Sequence, residues 1–281
     1  MAQVDGACVM RRLVPRLVPL VIFPLVILRL ALLPLAILCL ALTRPGVAVE
    51  RVVSLNLCAD QWLVLLAPEK IAALSMLARD PSLSHVAARA ASLPVTRASA
   101  EAVLALRPDL VLGAAFGART TLALLERAGV RVVRLAIPVD FPGIRAGLRE
   151  LAALLDVPER AEPLIAAMDA ALPMPPLRDP PVTALVWEPR GWTAGRDGLM
   201  ENVLRAAGLT NIGSGGRVGL EALSRHPPAL LILPGGSAGA SLATDMLTHP
   251  AVRAIPTRIV PAPLRICPGP YTAGAVTALI R

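Results

Sequence analysis

The chain contains two stretches with the same layout, "EAVLALRPDLVLG" at 101–113 and "EALSRHPPALLIL" at 221–233. Each begins with Glu-Ala, places a proline seven residues after the glutamate, and then enters a short apolar run. This order predicts a helix, a turn at the proline and a buried strand. Helix-to-strand units of this kind build parallel sheets, so a chain that contains the unit twice is expected to form two α/β lobes.

Strand and helix segments also alternate around these two stretches. The predicted strands lie at 51–56, 70–75, 109–113, 130–135, 182–187, 229–233 and 257–260. Between the two groups, residues 142–172 carry apolar residues at helical spacing without a strand, and a proline-rich link follows at 173–181. We therefore predict an α/β fold with two doubly wound parallel-sheet lobes, joined by a long helical connector, with a central cleft between them.

The first 48 residues have the layout of a secretory signal. Three arginines at 11, 12 and 16 precede an apolar block at 17–42, and Gly46 and Ala48 offer a cleavage site of small residues. Cleavage there would leave a mature chain that begins near Val49 and lies outside the cytoplasm. The block is also long enough to remain as a membrane anchor, and Met10 is an alternative start of translation.

The remaining chain divides into an N-terminal lobe at 49–141, a helical connector and proline-rich link at 142–181, and a C-terminal lobe at 182–281. Removal of residues 1–48 takes away five arginines and one aspartate, so the net charge falls from +8 to +4. No run of like charge is present, and no aromatic residues interleave with the arginines. These features exclude nucleic acid as an expected partner.

Two cysteines, Cys58 and Cys267, lie beyond the export segment. An oxidising compartment would permit a disulfide between them, but the sequence does not show that their Cα atoms approach each other. They could also meet across the cleft as soft ligands. Two separate buried thiols are the favoured interpretation, because free cysteine is often a small buried residue. No metal site is expected from their spacing.

Several motifs in this order resemble the soluble binding proteins of ABC importers for cobalamin, haem and ferric siderophores. These motifs are "RVVSLNLCADQ" at 51–61, "SAEAVLALRPDLVL" at 99–112, "GWTAGRDGLMENVLRAAGLTNI" at 191–212 and "GLEALSRHPPALLIL" at 219–233. The resemblance covers about residues 50–281 and implies two lobes joined by a single long α-helix. It implies a monomer without catalytic residues or a cofactor of its own, which captures an iron chelate or a tetrapyrrole for a permease dimer. The bound ligand would itself carry iron or cobalt.

In that family, one exposed glutamate on each lobe docks against the permease. The positions that match are Glu101 and Glu221. Two carboxylates on equivalent lobes suit a partner with two-fold symmetry, since each lobe meets one subunit, and such charges set register and encounter rate. Alternatively, each glutamate carboxylate only stabilises its own helix, because a negative charge in the first turn interacts favourably with the positive end of the helix dipole.

The loops that leave the strands are expected to line the cleft and to contact the ligand. The candidate ligand-binding residues are Asn56, Cys58, Arg79, Phe116, Trp187, Trp192, Arg217, Arg265 and Tyr271. Aromatic rings suit the face of a corrin or porphyrin or a catecholate, and arginines suit carboxylates or an anionic ferric chelate. The segment "LSMLARDPS" at 74–82 lacks the aromatic residues that resemblance to the cobalamin binders would lead us to expect, which leaves the ligand class open.

Two other functions compete with transport. The segment "GGSAG" at 235–239 satisfies the Gly-x-Ser-x-Gly pattern of serine hydrolases, with Ser237 as nucleophile and Asp245 and His249 following. Both partners would come from the same short region, whereas hydrolases supply them from separate loops, so catalysis is not expected. The other alternative is a membrane-anchored ligand sensor with the same two lobes. An N-terminus near Val49 in the protein from cells would be incompatible with permanent anchoring.

Overall fold

A computed structural model describes residues 48–174, 179–235 and 242–280. The predicted export segment therefore lies, apart from Ala48, outside the described residues. Within these ranges, nine strands form two sheets in which every pair of neighbours is parallel. This arrangement confirms the predicted fold class of two parallel-sheet α/β regions.

The sheet of the N-terminal lobe has five strands in the order β3-β2-β1-β4-β5. The strands are β1 (Val52–Ser54), β2 (Ile71–Ser75), β3 (Val95–Thr96), β4 (Leu110–Ala114) and β5 (Val132–Leu135). The helices of this lobe are α1 (Leu57–Leu66), α2 (Ala87–Ala90), α3 (Ala100–Ala105) and α4 (Arg119–Arg127), with 3₁₀ turns at Pro68–Lys70 and Met76–Arg79. All five residues of β4 are buried, as expected for a strand covered on both faces.

The sheet of the C-terminal lobe has four strands in the order β7-β6-β8-β9. The strands are β6 (Val182–Val186), β7 (Leu209–Asn211), β8 (Leu230–Gly235) and β9 (Thr257–Pro261). The helices are α7 (Leu199–Ala206), α8 (Leu220–Arg225), α9 (Leu242–Asp245), α10 (Pro250–Arg253), α11 (Ala262–Arg265) and α12 (Ala273–Ile280). Shorter 3₁₀ turns lie at Pro189–Gly191, Met246–Thr248 and Pro270–Thr272.

The connector is helical, as the sequence predicts, but it is divided into two helices. These are α5 (Phe141–Leu154) and α6 (Ala161–Ala171), separated by a 3₁₀ turn at Pro158–Arg160. Helix α5 ends where Asp156 adopts a positive φ of 56°, a conformation that does not continue a right-handed helix. An ion pair of 2.6 Å between Arg145 and Asp169 joins the two helices side by side.

One hydrophobic core runs through both lobes. The same cluster contains Val52 and Leu112 of the first sheet, Ala184 and Ile232 of the second, and Ile144 of the connector. The chain from Val49 onward accordingly folds as one compact unit. A shared core of this kind opposes large movements of one lobe against the other, because separation would expose close-packed apolar surface.

None of the helices within the described ranges is both long enough and apolar enough to span a membrane.

Candidate functional site

The site is located by the point at which the strand order reverses in each sheet. In the first sheet β1 lies between β2 and β4, and in the second β6 lies between β7 and β8. The loops that follow such neighbouring strands diverge to opposite faces of the sheet and leave a crevice at the carboxyl ends of the strands. The candidate site is therefore the surface formed by the loops at these ends, which we call the cleft surface.

Exposed apolar side chains are concentrated on the cleft surface. Of twelve large hydrophobic residues exposed among the described residues, eight follow the carboxyl end of a strand. In the N-terminal lobe these are Met76, Leu77, Phe116, Ile137 and Val139, and in the C-terminal lobe they are Trp192, Ile212 and Ile266. Apolar groups gathered at one exposed region, and not scattered singly, mark a binding surface.

Phe116 and Trp192 are the two candidate aromatic residues with exposed rings, at 76% and 51% exposure. The Arg217 guanidinium lies 6.0 Å from the centroid of the Trp192 ring, within range of a cation–π contact. Arg217 is held there because its Nε donates a hydrogen bond of 3.0 Å to the carbonyl oxygen of Arg190. The cleft surface thus combines an accessible indole with a positive charge.

The other two candidate rings are buried. Trp187 has no exposed area, and its indole Nε1 donates to the carbonyl oxygen of Val218 at 2.9 Å. Tyr271 is 8% exposed and stacks on His85 with ring centroids 4.4 Å apart. Burial raises the pKa of the Tyr271 hydroxyl above its usual range. These positions leave no free ring face for a ligand, since packing inside the protein uses both aromatic side chains.

Two of the candidate arginines are engaged in structural contacts. Arg79 donates hydrogen bonds to the carbonyl oxygens of Ala90 and Leu93. Arg265 forms a two-pronged ion pair with the Glu188 carboxylate, and one of its two hydrogen bonds measures 3.2 Å. The charge of Arg265 is therefore neutralised by Glu188. Arg79 and Arg217 are both exposed after the carboxyl ends of strands, and each donates to backbone carbonyls without losing its positive charge.

Cys58 and Cys267 form a disulfide with a Cα–Cα distance of 5.1 Å. The favoured prediction of two separate thiols was wrong, because the start of α1 and the loop after α11 bring the two side chains together at the floor of the cleft. A bonded Cys58 is not available as a thiolate ligand. Asn56 lies at the same place, where its side-chain oxygen caps α1 by accepting from the backbone N–H groups of Cys58 and Ala59.

Further contacts join the lobes beside the disulfide. The indole of Trp62 on α1 donates a buried hydrogen bond of 2.7 Å to the carbonyl oxygen of Pro268. The stack of His85 on Tyr271 crosses the same boundary. We call these contacts, together with the disulfide, the inter-lobe joint. The residues that form these contacts are far apart in the sequence, so no local spacing pattern predicts the contacts.

A buried carboxyl group is hydrogen-bonded to the end of a strand whose following loop belongs to the cleft surface. Asp60 on α1 has no exposed area, and it accepts hydrogen bonds from the backbone N–H and the hydroxyl of Ser75, at the end of β2. Burial raises the pKa of this carboxyl to about 7, although hydrogen bonds from Ser54 and Ser75 act in the opposite direction. The exposed Met76 directly follows this anchor, so Asp60 holds the first part of that loop.

We expect Asp60 to make stability depend on pH. Because its folded pKa lies above the ordinary value of 3.8, the folded state binds more protons than the unfolded state between about pH 4 and 7, so the free energy of unfolding falls as pH rises through this range. The loss amounts to at most about 4 kcal/mol.

Asp60→Asn should remove this slope and be the more stable protein at pH 8, as measured by urea unfolding at pH 4, 6 and 8. Asp156→Asn, at an exposed position, should keep the wild-type slope. An unchanged slope in Asp60→Asn would contradict the assignment.

The two matched glutamates occupy equivalent places. Glu101 lies in the first turn of α3, which Ser99 caps by accepting from the N–H of Ala102, and Glu221 lies in the first turn of α8. Both are exposed, and Glu221 pairs with Arg225 one turn later at 3.0 Å. Both helices follow the carboxyl end of a strand, so the two carboxylates lie on the same side of their sheets as the cleft surface.

The residues of the hydrolase alternative are only partly described. Ser237 lies outside the described residues. His249 caps α10, where its Nδ1 accepts a hydrogen bond of 3.2 Å from the backbone N–H of Ala251. In a catalytic triad that nitrogen would instead donate to the acid. The observed contact therefore gives no support to a triad of Asp245 and His249.

Residues 52–258 match the family described as periplasmic binding protein. A search of curated proteins finds no match. Among solved structures, a periplasmic heme-binding protein from Pseudomonas aeruginosa is 25% identical, with a TM-score of 0.64 over 83% of this chain and 91% of that chain. A periplasmic heme-binding protein from Roseiflexus sp. RS-1 is also 25% identical, with a TM-score of 0.64 over 83% of this chain and 98% of that chain. A protein of an Fe³⁺-hydroxamate transport system from Saccharomonospora viridis shares the fold at 19% identity, with a TM-score of 0.61 over 83% of this chain and 92% of that chain.

Proposed function

This chain belongs to the periplasmic binding protein family, and we propose that it captures a tetrapyrrole or a ferric siderophore between its two lobes and delivers it to the permease of an ABC importer. The protein would perform no covalent chemistry. It would act in the periplasm as a monomer, and the ligand would bring its own metal.

The observation that carries this proposal is the apolar cleft surface. Side chains from both lobes contribute to it, including Phe116 from the first and Trp192 from the second. A flat, largely apolar ligand placed between the lobes would bury both rings. Burial of apolar area contributes roughly 25 cal/mol per Å², and an aromatic contact adds to this.

The charge on the same surface favours an anionic ligand. Arg217 stands over the exposed indole, and Arg190 is exposed next to it. A porphyrin has an apolar face and carboxylate side chains, so it would match a ring contact and a guanidinium contact at one place. The heme-binding relatives from Pseudomonas aeruginosa and Roseiflexus support this class of ligand at 25% identity. The similarity to the Fe³⁺-hydroxamate protein keeps a ferric siderophore as the other candidate.

Delivery to a permease would use Glu101 and Glu221. Both carboxylates are exposed, and they lie at the starts of equivalent helices on two lobes that share one core. Because this core and the disulfide limit relative movement, the spacing of the two carboxylates would stay nearly constant. A constant spacing suits a partner with two equivalent arginine-bearing subunits.

We expect Phe116→Ala and Trp192→Ala each to weaken ligand binding about tenfold, because each removes an exposed aromatic contact worth roughly 1.4 kcal/mol. The measurement is a titration of the protein with hemin, followed by visible absorbance, and a parallel titration with ferrioxamine B. Leu124→Ala is the matched control, since Leu124 is 45% exposed on α4, away from the cleft surface. If the two aromatic variants bound as tightly as the control, the ligand would not lie between these rings.

A further inference from the structure

An open groove lies at the edge of the N-terminal lobe, between the edge strand β5 and the connector helix α5. Its volume is about 520 Å³, within the range of small-molecule sites. The strand contributes Val133 and Leu135, the helix contributes Gly147 and Leu154, and Trp62 lines it as well. We call it the edge groove. The edge groove lies beside the cleft surface and is not part of it.

The walls of the edge groove are apolar. Val133, Leu135 and Leu154 are half-buried, so each still presents apolar area to the groove. Among the described residues that line the groove, the one guanidinium belongs to Arg134, and the Glu126 carboxylate neutralises it, with one of two hydrogen bonds at 3.0 Å. Glu150 is exposed and adds a negative charge on the helix side. An occupant must therefore be apolar along its length, and an anionic end would be repelled near Glu150.

Small residues of α5 let neighbouring side chains pack closely against the helix side of the groove. Gly143, Ala146 and Gly147 lie along the helix side of the groove. A Cβ atom at position 147 would come within 2.6 Å of the Trp62 ring, so glycine is required for the indole to pack against the helix. Trp62 is thereby fixed by this contact and by its hydrogen bond to Pro268, and it forms a rigid wall of the groove.

The edge groove shares part of its lining with a smaller cavity beside the disulfide. Trp62, Leu135, Ala136 and Pro138 line the groove and also line a second, smaller cavity that includes Asn56, Cys58 and Pro268. From Gly143 to Leu154 the groove follows twelve residues of helix, a length of about 16 Å. A chain attached to a ligand in the cleft would enter beside Pro138 and run along α5.

We propose that the edge groove holds the apolar tail of the ligand whose head occupies the cleft. The ligand is then an amphiphilic iron chelate, with an alkyl or acyl chain attached to the metal-binding head. A neutral chain fits the apolar walls, and it carries no charge toward Glu150. This inference rests on the proposed function for the head group, and it narrows the substrate class to chelates with a tail.

The test compares two neutral ferric chelates that differ only in the length of an N-acyl chain, N-acetyl ferrioxamine B and N-dodecanoyl ferrioxamine B, by calorimetric titration of the protein recovered from cells. The dodecanoyl chelate should bind at least tenfold more tightly. Ala146→Phe should abolish this advantage, because the ring fills the groove from an exposed position on α5. Ala153→Phe, also at an exposed position of α5 but outside the lining, should retain it.

A tail-only probe separates the groove from the head site. The probe, 6-dodecanoyl-2-dimethylaminonaphthalene, is neutral and carries an acyl chain, and its fluorescence should increase with wild type and Ala153→Phe but not with Ala146→Phe. If neither chelate binds while this pattern holds, the hydroxamate head is wrong and the groove assignment stands. Equal affinities for the two chelates, or no probe response in wild type, would overturn the assignment. A response that survives unchanged in Ala146→Phe would also overturn it.

Discussion

Loss of the bond between Cys58 and Cys267 should lower the free energy of unfolding by about 4 kcal/mol, the largest effect on stability that we expect from any change outside the core. The two cysteines are 209 residues apart, so the bond closes a loop that includes almost the whole folded chain. In the chain-entropy account, a long closed loop restricts the unfolded state strongly. The bond also secures the inter-lobe joint at the floor of the cleft.

The measurement is urea unfolding of the wild type with and without reductant, and of Cys58→Ala with Cys267→Ala. Reduction and the double variant should lower the unfolding midpoint by similar amounts. Reductant should not change the double variant, which controls for effects unrelated to these thiols. If mass spectrometry shows that both thiols of the wild type are reduced but the urea midpoint of unfolding is unchanged, the expectation is contradicted. The folded protein should keep its lobes together, because Trp62 still bonds to Pro268 and the core is shared.

The double variant Glu101→Ala with Glu221→Ala should reduce uptake in cells at least tenfold and leave ligand affinity unchanged. Both carboxylates are exposed in the first turns of their helices, away from the buried core. Their loss removes one charge from each lobe, and such rim charges control register and association rate at an interface. The ligand contacts on Phe116 and Trp192 would not change.

The matched control for this experiment is Glu50→Ala with Glu159→Ala, which removes the same number of charges from side chains that are 66% and 71% exposed. Uptake of radioactive iron in the presence of the chelate measures delivery, and titration of the purified protein measures affinity. Normal uptake by the first double variant would exclude docking through these two carboxylates. A loss of affinity in that variant would show that they serve the ligand site.

Much of the fold could be predicted because local patterns dictate it. The buried strand at Leu110–Ala114 and the strand at Leu230–Gly235 each follow a proline that ends a helix, and both occur where the repeated stretches place them. Two strands escaped prediction, Val95–Thr96 and Leu209–Asn211, because two or three residues at a sheet edge carry no periodicity. The break in the connector coincides with Asp156 and Pro158, which can begin a second helical segment, so the sequence carries a local signal for it.

The candidate site was predicted less completely, because exposure depends on tertiary packing. A tryptophan in a loop after a strand has the same sequence context whether it is exposed, as Trp192 is, or buried, as Trp187 is. The apolar side chains Met76 and Ile137 were not among the predicted site residues, most of which are aromatic or charged. Their position directly after a predicted strand was the available signal. The disulfide depends on the approach of two lobes, and no local pattern encodes it.

Native mass spectrometry combined with visible absorbance tests the central claim most directly. The protein recovered from cells would be measured alone and after mixing with hemin, cobalamin and several ferric siderophores. We expect one added ligand mass and a matching visible band with hemin or a ferric siderophore, and loss of that complex in the variant that lacks both Phe116 and Trp192. Failure of every candidate to bind, together with hydrolysis of a test ester that depends on Ser237, would contradict the assignment as a solute-binding protein.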